Sequence, residues 1–392
     1  MFPLLSAIGL LALTPVVMTT VAESATLLVG GGPAGTVSAV AFDGASFTVI
    51  ANNTIQGTAA SWLLFRENSV NLYAVDENSN TMRLFDFDAS TNAISLRQTA
   101  NGSSGVVSLA FNADRTRMAS ASFGAGALNF WDVGSLDGSM VLLQEIASDD
   151  ALGPNLVRQD APHPHQVQID PSGRFFVAND LGTDTVLVVG ADGDNFSITT
   201  HFRVDQPGCG PRHGAFFPPG ASIATHYILL CEMLNLVNVL ELSYRDDSIQ
   251  FTTVQVLSTF GPDFPPVNLS SSTAGEIQVS PDGRDVYVSN RNTGNETDSI
   301  SHFAAVTGNN GSVELEFRGT ISSGGLVPRM ISLGLDGLDN VLFATNQDGA
   351  FGLAAFSRRE DGSLDSEPLA SLPLSVFGSA GQGPQFVQEV RI

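Results

Sequence analysis

No lysine occurs in the 392 residues; all 17 basic side chains are arginine. That excludes Schiff-base chemistry, a phosphate-loop lysine and a lysine nucleophile. Cysteine is almost as scarce, with only Cys209 and Cys231, so no disulfide framework organises the chain. In an oxidising compartment the two form one bridge; otherwise they are two buried thiols. Charge of one sign is also short. Charged residues are 15% of the chain, and 40 acidic against 17 basic residues leave a formal net charge of -23. Such a surface repels nucleic acid and anionic membrane and favours solubility. Long amphipathic helical patterns are missing, and no apolar tail follows Gly383 that would signal a lipid anchor or a C-terminal span.

What is present begins with "MFPLLSAIGLLALTPVVMTTVA", an apolar run from Leu4 to Val17 broken by Pro15 and ending in small residues. Residues 1–22 are expected to be a secretory signal peptide, cleaved after Ala22 or Ala25. The other reading, a signal anchor, is opposed by the proline and by the shortness of the run. Six N-x-S/T sequons, at Asn52, Asn101, Asn195, Asn268, Asn295 and Asn310, fit a glycosylated, extracellular protein, secreted or associated with a cell wall.

Short alternating or apolar runs separated by Gly, Asn, Asp and Pro make this an all-β sequence. Similar segments start at Val106, His165 and Glu276, with divergent copies at Arg212 and Pro328 and a weaker one at Ser61. Each holds a strand, a tight turn such as Asp282-Gly283, a second strand, a polar elbow and a third strand. The spacing, roughly 50 residues, is that of four-stranded propeller blades. "TLLVGGG" and "TVSAVAFD" near the N-terminus, completed by the C-terminal "GPQFVQEVRI", supply a seventh blade that closes the ring and removes exposed sheet edges. Residues 23–392 are accordingly predicted to be one seven-bladed β-propeller of four-stranded antiparallel blades. The dipeptide Trp131-Asp132 occurs once and reads as blade packing.

In a propeller the loops leading into the innermost strands crowd one end of the central channel. Those positions hold His163, His165, Arg212, His213, Glu276 and Arg329, and a second set at the elbows includes Glu232, Arg291, Asn346 and Gln347. Arginines gathered at matching blade positions of an acidic protein suit an anionic ligand. Imidazole there can exchange a proton near neutral pH.

The motifs "HPHQVQIDPSGRFFVANDLG", "GPRHGAFFPPG", "EIQVSPDGRDVYVSNR" and "PRMISLGLDG...FATNQD" together resemble one family. It is the lactonase-type seven-bladed propellers, which include bacterial 6-phosphogluconolactonases and fungal 3-carboxy-cis,cis-muconate lactonizing enzymes. The likeness runs from about residue 25 to the C-terminus, and the chain looks like a fungal, secreted member. The resemblance implies catalytic roles for His165, Glu232, Arg212 and Arg291. Arg212 and Arg291 would clamp carboxylate or phosphate oxygens and stabilise developing negative charge. Glu232 and His165 would share the proton work of metal-independent lactone hydrolysis or lactonization, with no cofactor. His163, His213, Glu276, Arg329, Asn346 and Gln347 would line the substrate, a small anionic lactone or its open-chain acid.

Plainer readings stand beside these. His165 can simply cap its strand, Glu276 and Arg329 can pair between adjacent blades, and Asp170 and Asp282 are turn residues. The opposing functional class is a non-catalytic secreted or cell-surface glycoprotein, an antigen or adhesin that retains the ring.

Overall fold

A computed structural model describes residues 25–392 apart from 33, 192, 310 and 336. The expected signal peptide and the sequon at Asn310 lie outside the described residues. Among the described residues seven four-stranded antiparallel sheets follow one another around a ring, and the single short helix is the 3-10 turn Leu374–Val376. Blade 1 combines Ala25–Gly31, Thr36–Phe42 and Phe47–Thr54 with Pro384–Val390, the C-terminal strand, which takes the innermost place. Blades 2 to 7 then run over 63–101, 106–147, 164–203, 211–258, 273–322 and 330–373. The C-terminal strand is thus hydrogen-bonded to the first described strand, and this shared blade closes the ring.

Burial explains why the repeats are legible in their inner strands. Phe175–Asp180 and His226–Cys231 are buried at every position, because neighbouring blades cover both faces of their sheets. Outermost strands such as Ile249–Ser258 alternate exposed residues with buried or half-buried ones. Solvent on one side relaxes their sequence, so the fourth strand of each repeat is the hardest to see. Asp170 shows how the tight turns hold: its carboxylate accepts the N–H groups of Ser172, Arg174 and Phe175, and Gly173 takes the positive φ of 74°.

Five of the innermost strands share one irregularity that bears on function. Pairing with the next strand skips a residue near their start: Val107 in blade 3, His165 in blade 4, Arg212 in blade 5, Gly275 and Glu276 in blade 6, and Gln385 in blade 1. A bulge of this kind re-aims the unpaired side chain. Here the bulges bring side chains from separate blades to a common channel.

Candidate active site

Ser61, Trp62, Val107, His165, Arg212, His213, Arg329, Met330 and Gln385 enclose a cavity on the ring axis. Its free volume is about 10 Å³, room for a single water molecule. All but one of the blades contribute to this lining, and blade 6 reaches it indirectly through Glu276.

Glu276, 1% exposed, sets His213 by a 2.6 Å contact from its Oε2 to His213 Nδ1. His213 Nε2 in turn lies 3.2 Å from His165 Nδ1. A carboxylate only accepts hydrogen bonds, and the other oxygen of Glu276 already takes the N–H of Ile277 at 3.1 Å. The tautomers follow. His213 donates from Nδ1 to Glu276 and accepts at Nε2 from His165 Nδ1–H, which leaves His165 Nε2 with a free lone pair at the cavity. Aromatic rings fix both imidazoles: Trp62 meets His213 edge-on with centroids 5.7 Å apart, and Phe123 meets His165 at 5.8 Å.

Burial drives both histidines toward the neutral form, and the Arg212 guanidinium adds to it. His165 is held well below 6.5, and His213 falls to about 4 although Glu276 opposes the shift. At neutral pH both rings are uncharged, the state in which His165 can accept a proton.

Glu232 occupies different surroundings. Its Oε2 lies 2.9 Å from Arg212 Nε and 3.0 Å from an Arg291 Nη, while Oε1 accepts from Arg158 at 2.5 Å. Burial would raise its pKa, but Arg291, Arg212 and Arg158 together hold it down to about 2. Burial and the adjacent Arg291 lower Arg212 to about 9, still cationic at neutral pH. Backbone geometry secures the cluster. Arg212 and Arg291 donate to the carbonyls of Gly275 and Ala274. A Cβ on Gly275 would stand 2.4 Å from Ser289 Oγ, so only glycine lets that backbone come so close. Cys209 and Cys231 are disulfide-bonded, tying the segment that precedes Arg212 to the end of the strand that Glu232 directly follows.

The sequence reading put His165 and Glu232 together for proton transfer. The structure places Glu232 among three arginines and sets Glu276 and His213 behind His165. Arg329 borders the cavity and pairs with Glu77 at 2.9 Å, across the ring, rather than with Glu276 of the neighbouring blade. His163 sits at the rim, stacked on Phe123 at 4.1 Å and bonded through Nε2 to Asp160 at 3.0 Å. Asn346 is fully buried inside blade 7, where its amide donates to the carbonyls of Ser323 and Phe351. Gln347 follows it, and its backbone bonds to Val327 and Gly383. Neither borders the cavity.

Several site residues escaped sequence reasoning: Glu77, Arg158, Trp62, Phe123 and Gln385. For Gln385 a signal existed. His165, Arg212, Arg329 and Gln385 each directly follow a proline, at 164, 211, 328 and 384, three of which open an innermost strand. Proline suits a strand's first residue because no N–H is needed there.

Around the cavity Arg158, Arg212, Arg291 and Arg329 oppose Glu77, Glu232 and Glu276, a local excess of positive charge in a chain of formal charge -23. Among the described residues no group of three or more His, Cys, Asp or Glu side chains is placed to hold a metal ion, and no helix is long and apolar enough to cross a membrane.

A family described as lactonase, 7-bladed β-propeller, matches residues 20–368. A relative from Arthroderma benhamiae named "Probable 6-phosphogluconolactonase" is 32% identical over 270 residues, 67% of this chain and 65% of that protein. The 6-phosphogluconolactonase of Bacillus subtilis is 32% identical over 242 residues, 61% of this chain and 63% of its own length. The chain therefore aligns with slightly less than two thirds of the length of these relatives. The periplasmic gluconolactonase of Pseudomonas aeruginosa superposes with a TM-score of 0.76 at 21% identity, covering 94% of this chain and 99% of that one. At that identity the likeness is one of fold.

Proposed function

Since the chain belongs to the seven-bladed β-propeller lactonase family, we propose that it hydrolyses a small anionic lactone with His165 as general base. The observation that carries this reading is the run Glu276–His213–His165, whose free end borders an arginine-lined cavity. Fold alone would not specify the chemistry.

The lactone stands over the cavity with its anionic group toward Arg329 and Arg158. Water attacks the carbonyl carbon while His165 Nε2 takes its proton, and Glu276, acting through His213, steadies the imidazolium that results. Arg212 and Arg329 stabilise the oxyanion of the tetrahedral intermediate. The ring C–O bond then breaks, and His165 returns the proton to the departing alkoxide. One water is consumed and one hydroxy acid is released. Glu232, held near a pKa of 2, is too weak a base for this cycle and serves to fix the three arginines. Lactonization of a carboxymuconate would use the same groups, but the relatives' names speak of lactone opening.

The test is proton release from glucono-lactones with and without a phosphate, comparing the wild type with His165→Asn. Turnover that vanishes in the variant supports the reading. A folded wild type no faster than spontaneous hydrolysis overturns it and leaves the non-catalytic glycoprotein.

The same reading takes the chain to be secreted and glycosylated. Asn52, Asn101, Asn195 and Asn268 are exposed and Asn295 half-buried, and the disulfide suits an oxidising compartment.

A further inference from the structure

Gln385 is 6% exposed, and its Oε1 has no hydrogen-bond partner among the described residues. A buried acceptor without a donor is destabilising, so its retention in a tightly packed ring calls for an explanation. The residue lies on the C-terminal strand that closes the propeller, next to Pro384. Its bulge is the counterpart in blade 1 of those that present His165 and Arg212, and it borders the same cavity.

A second polar group there is left over. Arg212 Nε stands 2.9 Å from Glu232 Oε2, yet its N–H has no aligned acceptor among the described residues. The unpartnered polar atoms among the cavity's lining residues are Ser61 Oγ, Arg212 Nε and Gln385 Oε1, and His165 Nε2 offers a lone pair. A water molecule suits this set, accepting from the Ser61 hydroxyl or the Arg212 guanidinium and donating to His165 Nε2 and Gln385 Oε1, and a volume of about 10 Å³ is on the scale of one water.

Building on the lactonase reading, we propose that this cavity holds the attacking water and that Gln385 is its positioning residue. One O–H of the water points to His165 Nε2, which removes that proton. The other points to Gln385 Oε1 and stays on oxygen. With both hydrogens committed to the two acceptors, a lone pair is free to face a lactone carbonyl at the cavity mouth. The C-terminal strand then completes the site as well as the ring.

Three measurements decide it. A high-resolution crystal structure of the wild type should show one water within hydrogen-bond distance of Gln385 Oε1 and His165 Nε2; no density there overturns the proposal. Gln385→Met, close in size but without an acceptor, should lower kcat about tenfold, the equivalent of one hydrogen bond, with KM and the thermal midpoint nearly unchanged. Gln385→Glu, which keeps the acceptor, should recover most of that loss. An active wild type whose Gln385→Met variant keeps its kcat, or loses it only through KM, defeats this inference and spares the hydrolase reading. An inert wild type defeats the hydrolase reading, and the water's role falls with it.

Discussion

His213 Nδ1 and Glu276 Oε2 lie 2.6 Å apart although 63 residues separate them in sequence. The contact joins the innermost strands of blades 5 and 6, so the register of two blades sets the tautomer of a ring that in turn sets His165. Replacing Glu276 with Gln leaves an amide that can donate as readily as accept, and the direction of the hydrogen-bond run is no longer imposed. Steady-state kinetics of Glu276→Gln should show kcat reduced about 100-fold, within the range ascribed to general base catalysis, and KM little changed. Unaltered kcat would mean that Glu276 serves packing alone.

Glu232 is expected to matter for stability more than for proton transfer. It pairs with Arg158, Arg212 and Arg291 at once, and its loss leaves the buried Arg212 and Arg291 without that counter-ion. Such a break costs about 3–5 kcal/mol. Denaturant unfolding of Glu232→Gln should show that loss. A variant as stable as the wild type would refute the anchoring role.

How much of this was legible in the sequence depended on distance along the chain. Repeats such as "QVQIDPSGRFFVAND" exposed the blades because their buried inner strands and Asp-Gly or Ser-Gly turns answer to local rules. The closing role of "GPQFVQEVRI" was readable for the same reason. Which blade residues meet was not. Arg329 and Glu77 are 252 residues apart and Arg158 and Glu232 are 74 apart, and nothing local to either partner announces the other. Asn346 shows the converse error. Its elbow position beside the channel suggests a contact with substrate, but its amide donates to Phe351 O in its own blade and to Ser323 O in the connection from blade 6.

Acid should weaken the fold in a defined window. In the folded chain His213 resists protonation down to about pH 4, whereas the unfolded chain accepts that proton near 6.5. Between those values the unfolded state binds more protons, so stability is full above pH 6.5 and falls as pH drops toward 4. From pH 7 to pH 5 the loss from His213 alone is about 2 kcal/mol, and His165 adds to it in the same direction. Glu232 extends the decline from about pH 4.5 to about pH 2. Unfolding free energies measured across this range should decrease monotonically with acid. A curve flat from pH 7 to pH 5 would contradict the neutral, buried imidazoles.

The proposed secretion would leave two marks that can be read on the purified protein. The first residue of the mature chain should follow Ala22 or Ala25, and enzymatic removal of N-glycans should shift its mass. Asn295 is the least exposed of the described sequons, and its side chain donates to the carbonyl of Pro265 at 3.2 Å. Site mapping should find it less occupied than Asn52 or Asn195. A chain with an intact N-terminus and no glycan would remove the case for export.

The disulfide offers the sharpest separation of stability from catalysis. Cys209 and Cys231 are 22 residues apart, and closing a loop of that size in the unfolded chain is worth about 3 kcal/mol. The bridge also lies two residues before Pro211 on one side and next to Glu232 on the other, where the backbone N–H of Glu232 already bonds to Gly210 O at 2.9 Å. Because that bond and the Arg212 contact persist without the sulfurs, the double variant Cys209→Ser, Cys231→Ser should unfold at lower denaturant yet keep kcat within about threefold under folding conditions, since only the small strain of an unlinked hairpin reaches the arginines. Should kcat fall a hundredfold while the protein stays folded, the bridge itself holds Arg212 and Glu232 in their working positions, and reduction would then switch the site off.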